Sequence, residues 1–289
     1  MNTANSNKFL DEVLAIEAEE ALKAGAVGYM AQALVRATMP HRSTTDHVFT
    51  RTNGRFTLTL MANPKVGLPW GSIPRLVLAW VTTEAVKTSS RTLVLGGALS
   101  DFMDQLDLVP TGGRWGSIYR VRRGTTQLFS SVISLHEQGK GYAAGGTFTI
   151  ADKYMLFWDQ QSLQQPVLFN STVQLSEVFF DEIVNYKVPI DLRALKALKQ
   201  SPMALDIYCW LTYRMSYLAD KTEIPWRALQ TQFGAGYPMT PQGTSDFRKK
   251  FLLHLRKVQG VYRHARVGEG KHGLSLYPSP THVPKLRTP

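Results

Sequence analysis

The sequence predicts an α+β fold, and three observations predict it. Stretches with apolar residues three and four apart are interspersed with short runs that alternate apolar and polar. The order helix, turn, helix, hairpin occurs at residues 97–173 and, more loosely, again at 222–278. A chain of 289 residues has room for two such units, at roughly 100–200 residues per domain. That order is the order of a winged helix. The expected architecture is therefore two winged-helix units in tandem, each a helix-turn-helix with a β-hairpin wing.

Each element has its own reason. Residues 9–37 read as a helix, apolar at Leu10, Val13, Leu14 and Ile16 and again at Met30, Leu34 and Val35, with Gly25 and Gly28 as breaks. Residues 55–62 alternate and are rich in Thr and Phe, which makes a strand. Ser72 reads as an N-cap and Pro74 as a first-turn residue of a helix over 74–87, followed by a short strand at 91–95. Residues 99–108 form a short helix, 110–113 a turn, and 115–137 a long helix closed by Gly139. Strands at 147–158 and 167–173 flank a Gln-rich loop. The second half gives helices at 175–184, 191–199 and 202–218, a strand at 223–225, and a helix at 226–233. A long turn over 234–244 then leads to a strongly periodic helix at 245–258. Strands at 260–267 and 273–277 close a hairpin around 268–272. The expected domains are an N-terminal helical segment (1–40), winged-helix domains at 41–173 and 174–278, and a disordered Pro-rich tail (279–289).

Composition narrows the function. Apolar residues are 44% and charged residues 19% of the chain, which excludes a largely disordered protein. The single cysteine, Cys209, excludes a disulfide framework and a Cys-rich zinc site, reads as a buried hydrophobe, and fits a reducing cytoplasm. The acidic N-terminus lacks the pattern of a signal peptide, and no apolar run approaches the ~20 residues of a membrane helix. The net charge is +11, which points to a polyanionic partner. It is concentrated: residues 241–289 hold ten Lys/Arg against two acids, and residues 111–140 hold five against one.

Both basic blocks contain a candidate recognition helix. In 245–258, Phe247, Phe251, Leu255 and Val258 share one face, and Lys249, Lys250, Arg256 and Lys257 lie roughly opposite. Arg248 and His254 are on the flanks, Ser245 opens the helix, and Leu253 sits among the basic residues. The face serves either DNA contact or solubility, and the helix order with its wing favours DNA. In 115–135, Trp115, Ile118, Val121, Phe129 and Ile133 share a face, Arg120, Arg123 and Gln127 point away, and Arg122 turns toward the apolar side. That surface, with Arg114 in the preceding turn, suits DNA or a dimer interface equally. In the second wing, Arg263, Arg266 and Lys271 are candidates for phosphate contact or for solubility, with Lys140 and Tyr142 as weaker equivalents in the first.

Missing motifs exclude chemistry. There is no G-x-x-x-x-G-K-[ST] of a P-loop ATPase, no H-E-x-x-H and no zinc-finger spacing. None of the seven histidines belongs to the His-hydrophobe-His triplet of metal-dependent nickases. Asp101, Asp104 and Asp107 are explained by capping and solvation. No catalytic residue, metal or cofactor is expected.

Five segments, VFTRTNGRFTLTLMA (48–62), GLPWGSIPRLVLAWVTTEA (67–85), LSDFM (99–103), TGGRWG (111–116) and LFSS (128–131), resemble the plasmid-encoded RepA family of replication initiators. The resemblance spans residues 45–270 and is most specific in the first half. It implies a protein that binds repeated double-stranded sites (iterons) at its plasmid's origin, helps to open the origin and recruits host initiator and helicase. It further implies a homodimer in equilibrium with monomer. A plasmid transcriptional repressor of winged-helix type is the alternative, and an origin-nicking enzyme is the more distant one.

Overall fold

The computed structural model describes residues 3–114, 116–158, 170–234 and 236–284. In chain order the elements are α1 (Thr3–Ala18), β1 (Val27–Ala31), α2 (Gln32–Arg36), β2 (Val48–Asn53), β3 (Phe56–Met61), α3 (Ser72–Thr88), β4 (Thr92–Gly96), α4 (Leu99–Gln105) and α5 (Ser117–Phe129). Next come β5 (Val132–Gly139), β6 (Tyr142–Thr149), β7 (Ala151–Met155), β8 (Ser171–Leu175), α6 (Glu177–Asn185), β9 (Lys187–Asp191) and α7 (Leu192–Leu198). The last are α8 (Pro202–Met215), β10 (Thr222–Pro225), α9 (Trp226–Phe233), α10 (Pro241–Val261), β11 (Val267–Glu269) and β12 (Gly273–Leu276). Helices and small, largely antiparallel sheets make this an α+β protein.

The chain forms two compact units. One holds Met1–Thr38, Arg51–Phe56 and Val188–Pro289; the other holds Met39–Thr50 and Thr57–Lys187. The N-terminal segment, expected as a piece of its own, groups with the C-terminal part of the chain. Arg193 of α7 explains why: its guanidinium donates to Ala15 O and Glu19 O, both at 2.9 Å, at the open end of α1. Lys196 meets Glu12 at 3.3 Å alongside.

In that first unit α8 is apolar on every side and correspondingly buried from Met203 to Thr212. Ser201 caps it, accepting from Ala204 N at 3.1 Å. The run α8, β10, α9, α10, β11, β12 folds with sheet order β10-β12-β11, Thr222 and Val267 both opposite Leu276. In the second unit the run α3, β4, α4, α5, β7, β8 has the same order, and its sheet, β4-β8-β7, has the same strand permutation. A hairpin, β5–β6, is inserted between α5 and β7, paired from Val132↔Thr149 to Gly139↔Tyr142. It extends a four-stranded sheet, β2-β3-β5-β6.

Several sequence expectations are corrected. The helix expected over 115–137 ends at Phe129, and residues 132–139 are strand β5. Ile133 is therefore on a strand, and Trp115 lies outside the described residues. Gly124 lies inside α5. A Cβ there would lie 3.0 Å from Ile73 Cγ2 and 3.4 Å from Pro74 Cδ, so glycine lets α5 approach α3. The helix expected over 9–37 stops at Ala18; Gly25, at φ +62°, turns the chain into the buried strand β1, which pairs with β9. Strands β2 and β9 were not expected. Ser72 is the first residue of α3 rather than its cap, a place taken by Gly71. The strand expected over 147–158 is two, β6 and β7, and α10 runs from Pro241 to Val261, so the strand expected from 260 starts at Val267. The Gln-rich loop lies outside the described residues. The tail is not disordered throughout: Val283 is buried and His282 packs into the first unit.

Two buried polar clusters hold these units. Arg75 is 3% exposed and donates to Gly71 O at 2.7 Å, Met39 O at 2.6 Å and Pro40 O at 3.2 Å. The cluster at the chain's end centres on Tyr208. Its oxygen accepts from Asp191 N at 2.8 Å, which leaves its O–H for His282 Nδ1 at 2.7 Å. His282 also stacks on Tyr262, ring centroids 4.8 Å apart, and Tyr262 O–H donates to Pro280 O at 2.5 Å. Burial lowers the His282 pKa to about 4, with Arg193 and His264 acting in the same direction and Asp191 against it.

Two outcomes follow. Arg75→Met strands three carbonyls and should lower the urea unfolding free energy by about 3 kcal/mol, at unchanged m-value. For His282, the folded form stays neutral down to about pH 4, whereas the unfolded imidazole charges near its usual 6.5. The unfolded state binds the extra proton in that window, so stability is full above pH 6.5 and falls toward pH 4, by up to about 3 kcal/mol. Denaturant melts between pH 4.5 and 7 should show this slope in the wild type and lose it in His282→Gln; equal slopes would refute the assignment.

Candidate nucleic-acid interface

The candidate interface centres on α10. Thr240 caps it, accepting from Gly243 N at 3.1 Å, and Pro241 occupies the first turn, where a missing N–H costs nothing. Phe247, Phe251, Leu255 and Val258 are each at most 2% exposed. Phe251 meets Phe233 at 5.5 Å and Trp226 at 6.0 Å between ring centroids, and Trp210 continues the aromatic cluster from Phe233 at 5.5 Å. With that stripe buried, a helix of 3.6 residues per turn must present Lys249, Lys250, Leu253 and Arg256 to solvent, and all four are exposed. Ser245 and Lys257 are half-buried at the edges of the same face. Asp246 lies on it too, receiving a hydrogen bond from Gln242 at 3.0 Å.

The flanking residues are committed elsewhere. Arg248 pairs with Glu269 of β11 at 2.5 Å and lies over the Trp226 ring at 5.5 Å, tying the helix to the hairpin. His254 Nδ1 is 3.0 Å from Ser201 Oγ, so it braces the start of α8. Arg263 is exposed and ion-paired with Glu17. Arg266 rests over the Tyr277 ring at 5.6 Å. Lys271 is exposed in the β11–β12 turn, and Glu223 accepts from the neighbouring His272 N at 2.5 Å.

In the other unit, α5 is held at its N-terminal end by a reciprocal pair. Ser117 N donates to Thr111 Oγ1 at 2.9 Å, Thr111 N donates to Ser117 Oγ at 2.8 Å, and Ser117 O–H reaches Val109 O at 2.6 Å. This fixes the turn that carries Arg114. Arg114, Arg122 and Arg123 then line an open cleft of about 870 Å³, with Tyr119 and, from the loop before α3, Lys65. No carboxylate lines it. Arg114, Tyr119, Arg120 and Arg123 are exposed and Arg122 is half-buried. Gln127 is not a surface residue: it is 2% exposed and donates to Val66 O at 2.7 Å, so it anchors the same loop. The helix ends two residues later, and its last turn packs inward, which the expectation of a longer helix concealed. Lys65 was missed because nothing in its own stretch of sequence marks it; only the fold brings it to α5. Lys140 and Tyr142 are exposed at the β5–β6 turn.

Among the described residues no group of three or more His, Cys, Asp or Glu is placed to hold a metal, and no helix is long and apolar enough to cross a membrane.

Comparison with known proteins gives three findings. No curated protein matches the chain. Two solved structures share the fold. The selenomethionine form of domains 2 and 3 of RctB covers 85% of this chain and 97% of its own, at 10% identity and a TM-score of 0.55. A second structure of RctB domains 2–3 covers 85% and 95%, at 12% identity and a TM-score of 0.52. The family model for the plasmid-encoded RepA protein matches residues 68–228. That stretch is more than half of the chain and runs from the turn before α3 to α9, so the chain belongs to the plasmid-encoded RepA family of replication initiators.

Proposed function

We propose that this chain is a sequence-specific double-stranded-DNA-binding initiator that acts on repeated sites at its plasmid's origin in the bacterial cytoplasm, without catalysis of its own. Both repeated runs of elements read as winged helices, with α10 and α5 as the second helices and β11–β12 and β7–β8 as the wings. The observation that carries the reading is the face of α10: Lys249, Lys250 and Arg256 exposed against a fully buried opposite stripe. The major groove, about 12 Å wide, admits a helix in that orientation, and the cations then lie beside the phosphates. The cleft of α5, with Lys65, Arg114, Arg122 and Arg123, supplies a second polyanion-binding surface. Binding energy and DNA bending would drive origin opening, and the opened DNA would receive host initiator and helicase. The same protein would exchange between monomer and homodimer.

A titration against the plasmid's own origin fragment and a scrambled duplex at ~150 mM salt tests this reading. A specificity ratio of ~10³ or more with a footprint on direct repeats is expected; equal weak binding to both would overturn it. Lys249→Ala and Arg256→Ala should each weaken binding and reduce the slope of log affinity against log salt by about one. Their thermal unfolding should match the wild type, since both side chains are exposed. Gln127→Ala, which removes a buried hydrogen bond, should instead lower the thermal unfolding midpoint.

A further inference from the structure

Leu253 is the apolar residue on the α10 face, and phosphate binding leaves it without a role; the face's one acid, Asp246, lies two turns away and is held by Gln242. Side chains three and four positions away are neighbours on a helix. For Leu253 these are Lys249, Lys250, Arg256 and Lys257, every one a cation. Leu253 is 47% exposed, on the side away from the buried stripe, so it adds nothing to the core. Single exposed leucines are ordinary on protein surfaces. One whose four helical neighbours are all cationic stands where a polyanion must settle.

The geometry of a duplex says what it would meet. Lysine and arginine stems are long and carry their charges outward, past the shorter leucine, to the two sugar-phosphate edges of the groove. The leucine, between them, faces the groove floor. The apolar feature that the bases offer there is the C5-methyl group of thymine. A lysine at position 253 would crowd four like charges and still find no phosphate between the strands; a small polar residue would leave the methyl group in water.

We propose that Leu253 reads a thymine methyl group on the major-groove floor, an apolar specificity contact inside a ring of phosphate-binding cations. The inference rests on the reading of α10 as the DNA-reading helix, and it goes beyond that reading by assigning one base contact to one side chain.

Uracil substitution tests it, because uracil differs from thymine by that methyl group alone. The full chain first selects its preferred duplex from a randomised pool. Each thymine of that duplex is then replaced singly by uracil, and wild type and Leu253→Ala are titrated against every version. The wild type should lose about fourfold in affinity at a thymine in each site, the value expected for one buried methyl group. Leu253→Ala should bind the thymine duplex at least that much more weakly and show no further loss at the same uracil. Its salt slope should stay at the wild-type value, unlike those of the lysine and arginine variants, and its circular dichroism and melting should be unchanged. A wild type that prefers its duplex over a scrambled one yet is indifferent to every uracil would overturn the proposal. So would a Leu253→Ala variant that keeps the full uracil sensitivity, since another side chain would then read the methyl group. Recovery of no preferred duplex would overturn the reading of α10 itself, and this contact with it.

Discussion

The seating of Phe247, Phe251, Leu255 and Val258 fixes the direction of every other side chain on α10. These four positions span three turns of helix and none is more than 2% exposed. Burying a side chain of this size contributes about 1.5–3 kcal/mol, and the aromatic partners Trp226, Phe233 and Trp210 interlock around Phe251 and Phe233. Rotating the helix by one residue would expose two phenylalanines and bury a lysine. Exposed pairs between cations and acids, at roughly 0–1 kcal/mol, have no comparable hold. The basic face is therefore a consequence of the apolar one: the core decides where the charges point, and the charges do not decide how the helix lies.

The second unit solves the same problem with different chemistry. In its helix α5, Gly124 allows an approach to α3 that a larger residue would block. The loops around α3 are then held by polar contacts. Arg75 binds three carbonyls from segments 39–40 and 71, and Gln127 binds Val66 O. These contacts place Lys65 at the rim of the α5 cleft. A buried guanidinium and a buried amide are costly unless satisfied, so the loop is tied as firmly as its donors require. The cationic cleft inherits its shape from groups that never touch a ligand.

How much of this the sequence disclosed depends on the range of the contacts. Helices α8, α9 and α10 were legible because their apolar residues recur at three and four, and the order of elements around both small sheets could be read from turns and hairpin signals. Strand β5 was not. Its residues continue the apolar spacing of α5 closely enough to extend the helix on paper, and pairing with its sequence neighbour β6 makes it a strand. Strand β1 was hidden for a different reason: its partner β9 lies more than 150 residues away. At the candidate interface, the exposure of Lys249, Lys250 and Arg256 followed from periodicity, whereas the burial of Gln127 and the arrival of Lys65 did not. Both depend on the loop at 63–67, which Gln127 holds through Val66 O.

The charges of the C-terminal block also divide by role, which their count alone conceals. The ten basic residues of 241–289 include Arg248, held by Glu269, and Arg263, held by Glu17. Each pair is substantially exposed, so a phosphate could replace the carboxylate at a cost of about 1 kcal/mol or less. Arg248 links α10 to the hairpin, and Arg263, just past the end of α10, links it to α1. When an arginine paired with a carboxylate moves to a phosphate, the DNA releases its counterion but the freed carboxylate attracts a cation, so the net ion release is smaller. The formal charge therefore overstates the net ion release expected of the block. In the proposed reading, the cations of the α10 face and the hairpin turn would set the salt dependence, and the two paired arginines act first as braces that hold α10 to the hairpin and to α1.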